Sequence, residues 1–167
     1  RKKLYKIENL KNFRNNRLSK GLDDQESNIK FIKKQFDALI DKAGKKFVFS
    51  NLDKNNVGLN KNYYKIGEYY IDYGQIFLIN FYFELKKNVF SINNINLVCE
   101  IGGGYGHLMK LITQNHKCKL ILIDLPEANF VSSYYLRENF PELSFLLHAN
   151  LHEEFINYEI IKNYDII

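Results

Sequence analysis

Four of the nine glycines in this chain crowd into residues 102–106, directly behind an apolar run, and no glycine follows them. A glycine cluster that closes a strand lets the backbone turn sharply and lets a ligand approach amide groups with no Cβ in the way. The helix that follows would add the positive end of its dipole. The stretch reads Glu100-Ile101-Gly102-Gly103-Gly104-Tyr105-Gly106, and it organises the expectations for the rest of the chain.

The remainder of the C-terminal half alternates regularly. Residues 96–101 predict a strand and 105–115 a helix. Residues 119–124 predict a second strand, and Pro126 opens another helix at a position where a missing amide hydrogen costs nothing. That helix is expected to turn Phe130, Val131, Tyr134 and Tyr135 inward. A third strand is expected over 143–148, a helix over 151–161 and the opening of a fourth strand over 164–167. Strands separated by helices imply crossovers and a parallel sheet. The expected fold class is therefore α/β: a partial doubly wound, mainly parallel Rossmann-like sheet of four strands, preceded by a helical N-terminal segment. The expected domains are 1–95, mainly helical, and 96–167, the cofactor-binding part.

Ahead of the glycines, Ile29, Ile32, Phe36, Leu39, Ile40 and Ala43 recur at helical spacing, with Ser27 as cap and Gly44 as stop. Residues 50–65 have loop composition. Residues 66–85 hold a dense aromatic block whose length favours a helix. The Tyr and Phe of residues 63–83 either pack as helical core or wall a substrate site, and core packing is the preferred reading.

Composition narrows the function classes. At 46% hydrophobic over 167 residues the chain can bury a core. The net charge of +5 is uneven, because residues 1–46 hold 14 Lys+Arg against 6 Asp+Glu and the rest 10 against 13. A basic segment can meet nucleic acid, but Lys dominates and aromatics do not interleave as a stacking platform needs, so a solvated helical face is expected. Cys99 and Cys118 form no CxxC and are expected as two buried thiols. No stretch reaches the length of a membrane-spanning helix and no signal-peptide core is present, so the chain reads as cytoplasmic with no membrane partner. It begins without Met and stops inside an apparent strand, so a fragment of a longer protein is expected.

Eighteen residues past Gly106, at the end of the next predicted strand, stands Asp124. The carboxyl ends of adjacent parallel strands face one crevice, so the glycine turn and Asp124 are expected on one ligand, the carboxylate accepting from a ribose diol. The dinucleotide spacing G-x-G-x-x-G is absent, since its third position falls on His107 or Met109. The pattern acid-x-G-x-G-x-G instead resembles the first motif of Rossmann-like S-adenosylmethionine-dependent methyltransferases. Asp124-Leu125-Pro126-Glu127 adds to it, since Asp-Leu-Pro there is familiar from small-molecule O-methyltransferases. Residues 98–106 and 121–127, with Tyr134-Tyr135-Leu136 and Phe140-Pro141 behind them, look most like a bacterial group of sugar O-methyltransferases, in which a Tyr- and Phe-rich helical segment also precedes the motif.

That resemblance covers residues 96–150 closely and 57–95 loosely. It implies S-adenosyl-L-methionine as cofactor and a hydroxyl of a sugar or other small molecule as methyl acceptor. Gly102, Gly104 and Gly106, with Gly103 among them, match the motif glycines. Glu100 matches the acid that orients the cofactor's amino end, Asp124 the ribose acid, Leu125 its neighbour, and Asn150 stands where many relatives carry an adenine-binding acid. No residue is assigned as the catalytic base, and substrate-facing residues are expected beyond Ile167, so this segment alone is expected to be inactive. His148 and His152 have ligand-compatible spacing but no third ligand, so no metal is expected. His107 would either reach substrate or face solvent. A nucleic-acid methyltransferase or binding module, or an NAD or nucleotide-sugar enzyme of the same fold, remain the alternatives.

Overall fold

The apolar positions from Ile29 onward do share one helical face, in α1 (Gln25–Ala43), where Ile32, Phe36 and Leu39 are buried. The computed structural model describes residues 11, 13–16, 25–58, 63–90, 94–147 and 162–167. The chain divides into two compact units, Arg1–Val89 and Phe90–Ile167.

In the first unit α1 starts two residues before Ser27, which lies inside the helix instead of capping it. Gly44 ends α1 at φ +86°, and a short helix, α2 (Lys45–Asn51), begins at once. The helix expected from residue 66 is corrected. Two short strands come first, β1 (Tyr64–Ile66) and β2 (Tyr69–Ile71), paired antiparallel across a turn at Gly67, and only then α3 (Tyr73–Leu85). Tyr and Ile suit a half-buried strand, Gly67 supplies a positive φ for the tight turn, and Asp72 starts the helix by accepting the Gln75 amide at 3.0 Å.

The core of this unit joins α1, α2 and α3 through Phe36, Val48, Ile71, Ile76, Ile79 and Tyr82. Phe47 stacks on Tyr82, and Phe36 meets Phe49 edge-on. The aromatic block divides by face: Tyr82 is buried, whereas Tyr73, Phe77 and Phe81, four residues apart, are exposed. Beneath the start of α3 lies a buried polar group. Arg14 pairs with Asp72, and Gln75 donates to Asp53 at 3.1 Å. The Asp53 carbonyl accepts the Tyr70 amide.

The second unit is a mixed α/β arrangement around a small parallel sheet. β3 (Leu97–Ile101) pairs with β4 (Lys119–Ile123), from Leu97 opposite Lys119 to Ile101 opposite Ile123. α4 (His107–Asn115) joins them, and α5 (Pro126–Asn139) follows with Pro126 at its start. Met109, Leu111 and Ile112 of α4, Leu120 of β4, and Tyr135 and Leu136 of α5 form the core. The inward face expected for α5 shifts: Ser132, Tyr135 and Leu136 are buried and Phe130 is exposed. Gly106 sets that choice, since a Cβ there would stand 3.2 Å from Ser132 Cβ and 3.4 Å from Leu136.

The four-stranded doubly wound sheet is corrected to two strands. Among the described residues, the third and fourth expected strands are single bridges, Leu120 with Ile166 and Ile166 with Phe145. The order is therefore β3, β4, Ile166, Phe145, with both later segments on the same side of β4. A side-chain clip occupies the place of a ladder: Asp165 Oδ2 accepts the Ser144 amide at 2.9 Å and its hydroxyl at 2.6 Å. The Ser144 carbonyl meanwhile takes both the Asp165 and Ile166 amides. One sheet face is uncovered as well. Leu97, Cys99, Ile101 and Ile123 are exposed, Ile101 at 81%. Cys99 is thus exposed and Cys118 half-buried, against the expectation of two buried thiols. The helix expected over 151–161 lies outside the described residues. No helix among the described residues is long and apolar enough to cross a membrane.

Candidate functional site

β3 and β4 run parallel and in register, so both end at the same edge of the sheet, where the glycine turn leaves β3 and Asp124 leaves β4. The pairing continues one step past the strands, the Gly102 amide donating to the Ile123 carbonyl at 2.8 Å. The chain then reverses through Gly102, Gly104 and Gly106 at φ +78°, +62° and +86°, a region other residues enter only with strain. The turn closes with the Gly106 amide donating to the Gly103 carbonyl.

Asp124 is tied to that turn directly. Its Oδ2 accepts the Gly104 amide at 2.9 Å, and its Oδ1 accepts the Leu125 amide at 2.7 Å. The sequence expectation that the glycines and Asp124 converge is therefore met in the fold, through a contact between the two. Each carboxylate oxygen offers about two lone pairs, so each keeps acceptor capacity beyond the amide it holds. Asn129, in the first turns of α5, donates from Nδ2 to the Asp124 carbonyl at 3.3 Å. Its Oδ1 is buried with no hydrogen-bond partner among the described residues. Asn129 was not singled out in the sequence, and an asparagine five residues past an acid carries no signature that would have marked it.

Glu100 faces the same turn from beneath. It alternates with Cys99 and Ile101, so it lies on the covered side of β3, opposite Leu122. A Cβ on Gly103 would fall 2.4 Å from Leu122 Cδ1 and 2.8 Å from Glu100 Oε2. Gly103 is thus a glycine because the turn lies tightly on the strand side chains, while Gly102 has nothing within 4 Å of its missing Cβ. Glu100 Oε2 is buried without a hydrogen-bond partner among the described residues. Burial pushes the Glu100 carboxyl above the usual carboxylate range, and the charge of Asp124 adds to the rise.

His107 is placed differently from either expectation. It is the first residue of α4, 1% exposed, and its Nδ1 lies 3.0 Å from the Tyr135 hydroxyl. Tyr105 meets Tyr135 edge-on at 5.0 Å. The three rings join the turn to α5, so His107 neither faces solvent nor opens to a substrate. Leu125 is 70% exposed beside the turn. Asn150, His148 and His152 lie outside the described residues, and these contain no group of three or more His, Cys, Asp or Glu that could hold a metal.

The second unit also carries an open pocket of about 430 Å³ at the opposite ends of the strands, lined by Asn96, His116, Lys119, Leu143 and Asp165 among others. Its charged groups serve the sheet edge. Lys119 Nζ donates to the Lys162 and Tyr164 carbonyls, and Asp165 is the clip on Ser144. The glycine turn instead brings the two acids Glu100 and Asp124 beside a backbone that is open at Gly102. Compared with family models, with curated proteins and with solved structures, the chain matches none.

Proposed function

We propose that the glycine turn with Asp124 and Glu100 binds S-adenosyl-L-methionine, and that the protein is an O-methyltransferase acting on a hydroxyl of a sugar or other small molecule. The observation that carries the reading is the hydrogen bond from the Gly104 amide to Asp124 Oδ2. It brings a ribose-type acceptor onto a turn whose backbone is open at Gly102. The residues fit the cofactor on chemical grounds. Asp124 retains lone pairs for two ribose hydroxyls, and Glu100 offers a buried oxygen lacking a donor, which suits an ammonium group. A dinucleotide fits poorly, because the G-x-G-x-x-G spacing is absent and its diphosphate would enter beside the Asp124 carboxylate. The sugar hydroxyl as acceptor rests on the sequence resemblance alone, as does the Rossmann-like fold beyond the β3–α4–β4 unit.

When bound, the cofactor supplies an electrophilic methyl on a sulfonium. The protein's part is to hold that group by its polar ends and align an acceptor oxygen with it. Asp124 fixes the turn and offers acceptors, Glu100 offers a counter-charge, and the His107–Tyr135 link holds the start of α4 in place.

Titration of the protein with S-adenosylhomocysteine and, separately, with NAD tests the reading. Binding of the first is expected, and binding of NAD alone would end it. Asp124→Ala should weaken S-adenosylhomocysteine at least about tenfold, since hydrogen bonds to a charged group contribute roughly 1.5–3 kcal/mol each. The far-ultraviolet circular dichroism of the variant should stay unchanged.

A further inference from the structure

Glu100 is half-buried beneath the glycine turn. Its carboxyl lies under the glycine turn, so close that a Cβ on Gly103 would fall 2.8 Å from Oε2 and 2.4 Å from Leu122 Cδ1 of β4. One oxygen is shut from water and receives no hydrogen bond from any described residue. The charged group that acts on it is Asp124, a second carboxylate, whose own oxygens are turned to the amides of Gly104 and Leu125. Leu122 and the glycines bring no charge. The His107 ring at the head of α4 is engaged with Tyr135. Among the described residues, a carboxylate here keeps one oxygen without water, donor or cation, which favours the carboxylic acid over the ion.

We infer that, on the acid side of its titration, Glu100 is a carboxylic acid in the ligand-free protein and ionises as the ammonium group of the cofactor arrives, so that binding there releases one proton and affinity is tied to pH. The inference rests on the cofactor reading of the turn. The O–H bond of Glu100 breaks, its electron pair stays on the carboxyl oxygen, and the proton goes to solvent. The ammonium then supplies the donor that Oε2 lacks. Burial and Asp124 raise the free-state pKa of Glu100, so the protonated form persists above the pH at which an exposed carboxyl would have ionised. Below that raised value each unit of pH removes a factor approaching ten in affinity, because the ligand must first displace a proton. The site would therefore hold its cofactor more tightly above that raised value and less tightly below it.

Calorimetric titration with S-adenosylhomocysteine between about pH 5 and 7, where the ligand's amino group stays charged, decides the matter. Each titration is run in two buffers of different ionisation enthalpy. The wild type should bind more tightly as pH rises and release close to one proton on the acid side. Glu100→Gln, which imitates the protonated form, should bind at all pH values about as weakly as the wild type does in acid. Wild-type binding with no pH dependence and no proton release would overturn the inference and leave the cofactor reading intact. An equal slope in Glu100→Gln would assign the proton elsewhere and also overturn it. Absence of binding at every pH would remove the cofactor reading and the inference with it. The two-buffer proton count on the wild type stands whether or not the variant folds.

Discussion

Gly102 and Gly103 are neighbours, yet each is a glycine for a different reason, and alanine separates the two. At Gly103 the added methyl meets Leu122 Cδ1 at 2.4 Å and Glu100 Oε2 at 2.8 Å. Gly103→Ala should lower unfolding free energy by about 1–3 kcal/mol, the usual cost of overpacking. At Gly102 nothing lies within 4 Å, and the penalty is the φ of +78° alone, about 1–2 kcal/mol. Because Gly102 is the open position, Gly102→Ala should cost ligand affinity out of proportion to its effect on stability. Urea unfolding paired with S-adenosylhomocysteine titration checks both, and equal losses of stability and affinity at Gly102 would show that the open face is not used. The glycines and Asp124 were legible in the sequence because spacing ties a turn to the end of the next strand, and Glu100 was legible through the motif resemblance. The reason for Gly103 was not legible. It depends on which strand side chains lie under the turn, and that is set by register. His107 escaped for a similar cause, since its partner Tyr135 lies 28 positions away on another helix.

Asp72 serves α3 and the polar group beneath it together. It caps the helix through the Gln75 amide and faces Arg14 in a buried ion pair. Asp72→Asn keeps a capping oxygen and removes the charge. Asp72→Ala removes both, and should be the more destabilising by about 1 kcal/mol, the typical worth of a cap. Each variant should lose about 3–5 kcal/mol for a buried pair deprived of one partner. Thermal unfolding orders the two, and a cap that mattered little would make them equal. The helix expected over 66–85 took in β2 with α3, and the loop expected over 50–65 took in most of β1, because Tyr- and Ile-rich segments satisfy strand and helix alike over a few residues. The deciding groups were Gly67 and Asp72, single residues inside an aromatic run. The edge segments around Phe145 and Ile166 mark the same limit from the other side. Their apolar residues read as strands, and the Asp165 side chain takes the Ser144 amide that a ladder would have used. The Asp165 carboxyl is held below its usual range by the Ser144 hydroxyl and amide. Its contribution is therefore present above the ordinary aspartate value and lost as pH falls through the lowered one.

Across the whole molecule, charge and apolar surface are distributed in ways that no single element explains. In the second unit, Leu97, Ile101 and Ile123 form an exposed apolar strip on the side of the sheet away from Glu100. Isolated apolar residues on a surface are ordinary, but a strip across paired strands binds dyes and invites self-association. Ile101→Lys should reduce fluorescence of an apolar dye such as anilinonaphthalene sulfonate and raise the solubility limit. Unchanged dye binding would place the apolar surface elsewhere, with the exposed Tyr73, Phe77 and Phe81 of the first unit as the next site to alter.

The in-step pairing of β3 with β4 reaches beyond packing. Glu100 sits opposite Leu122, and Ile101 opposite Ile123. Strand side chains alternate, so a shift of one position along either strand would exchange the two sides of the sheet. Glu100 would move from beneath the glycines to the outer strip, and Asp124 would miss the Gly104 amide. A single-residue insertion or deletion inside Leu97–Ile101 would thus silence the site while leaving a two-stranded sheet that still forms. The length of these five residues is therefore fixed by a side chain at their far end, the Glu100 that must come to rest under the turn.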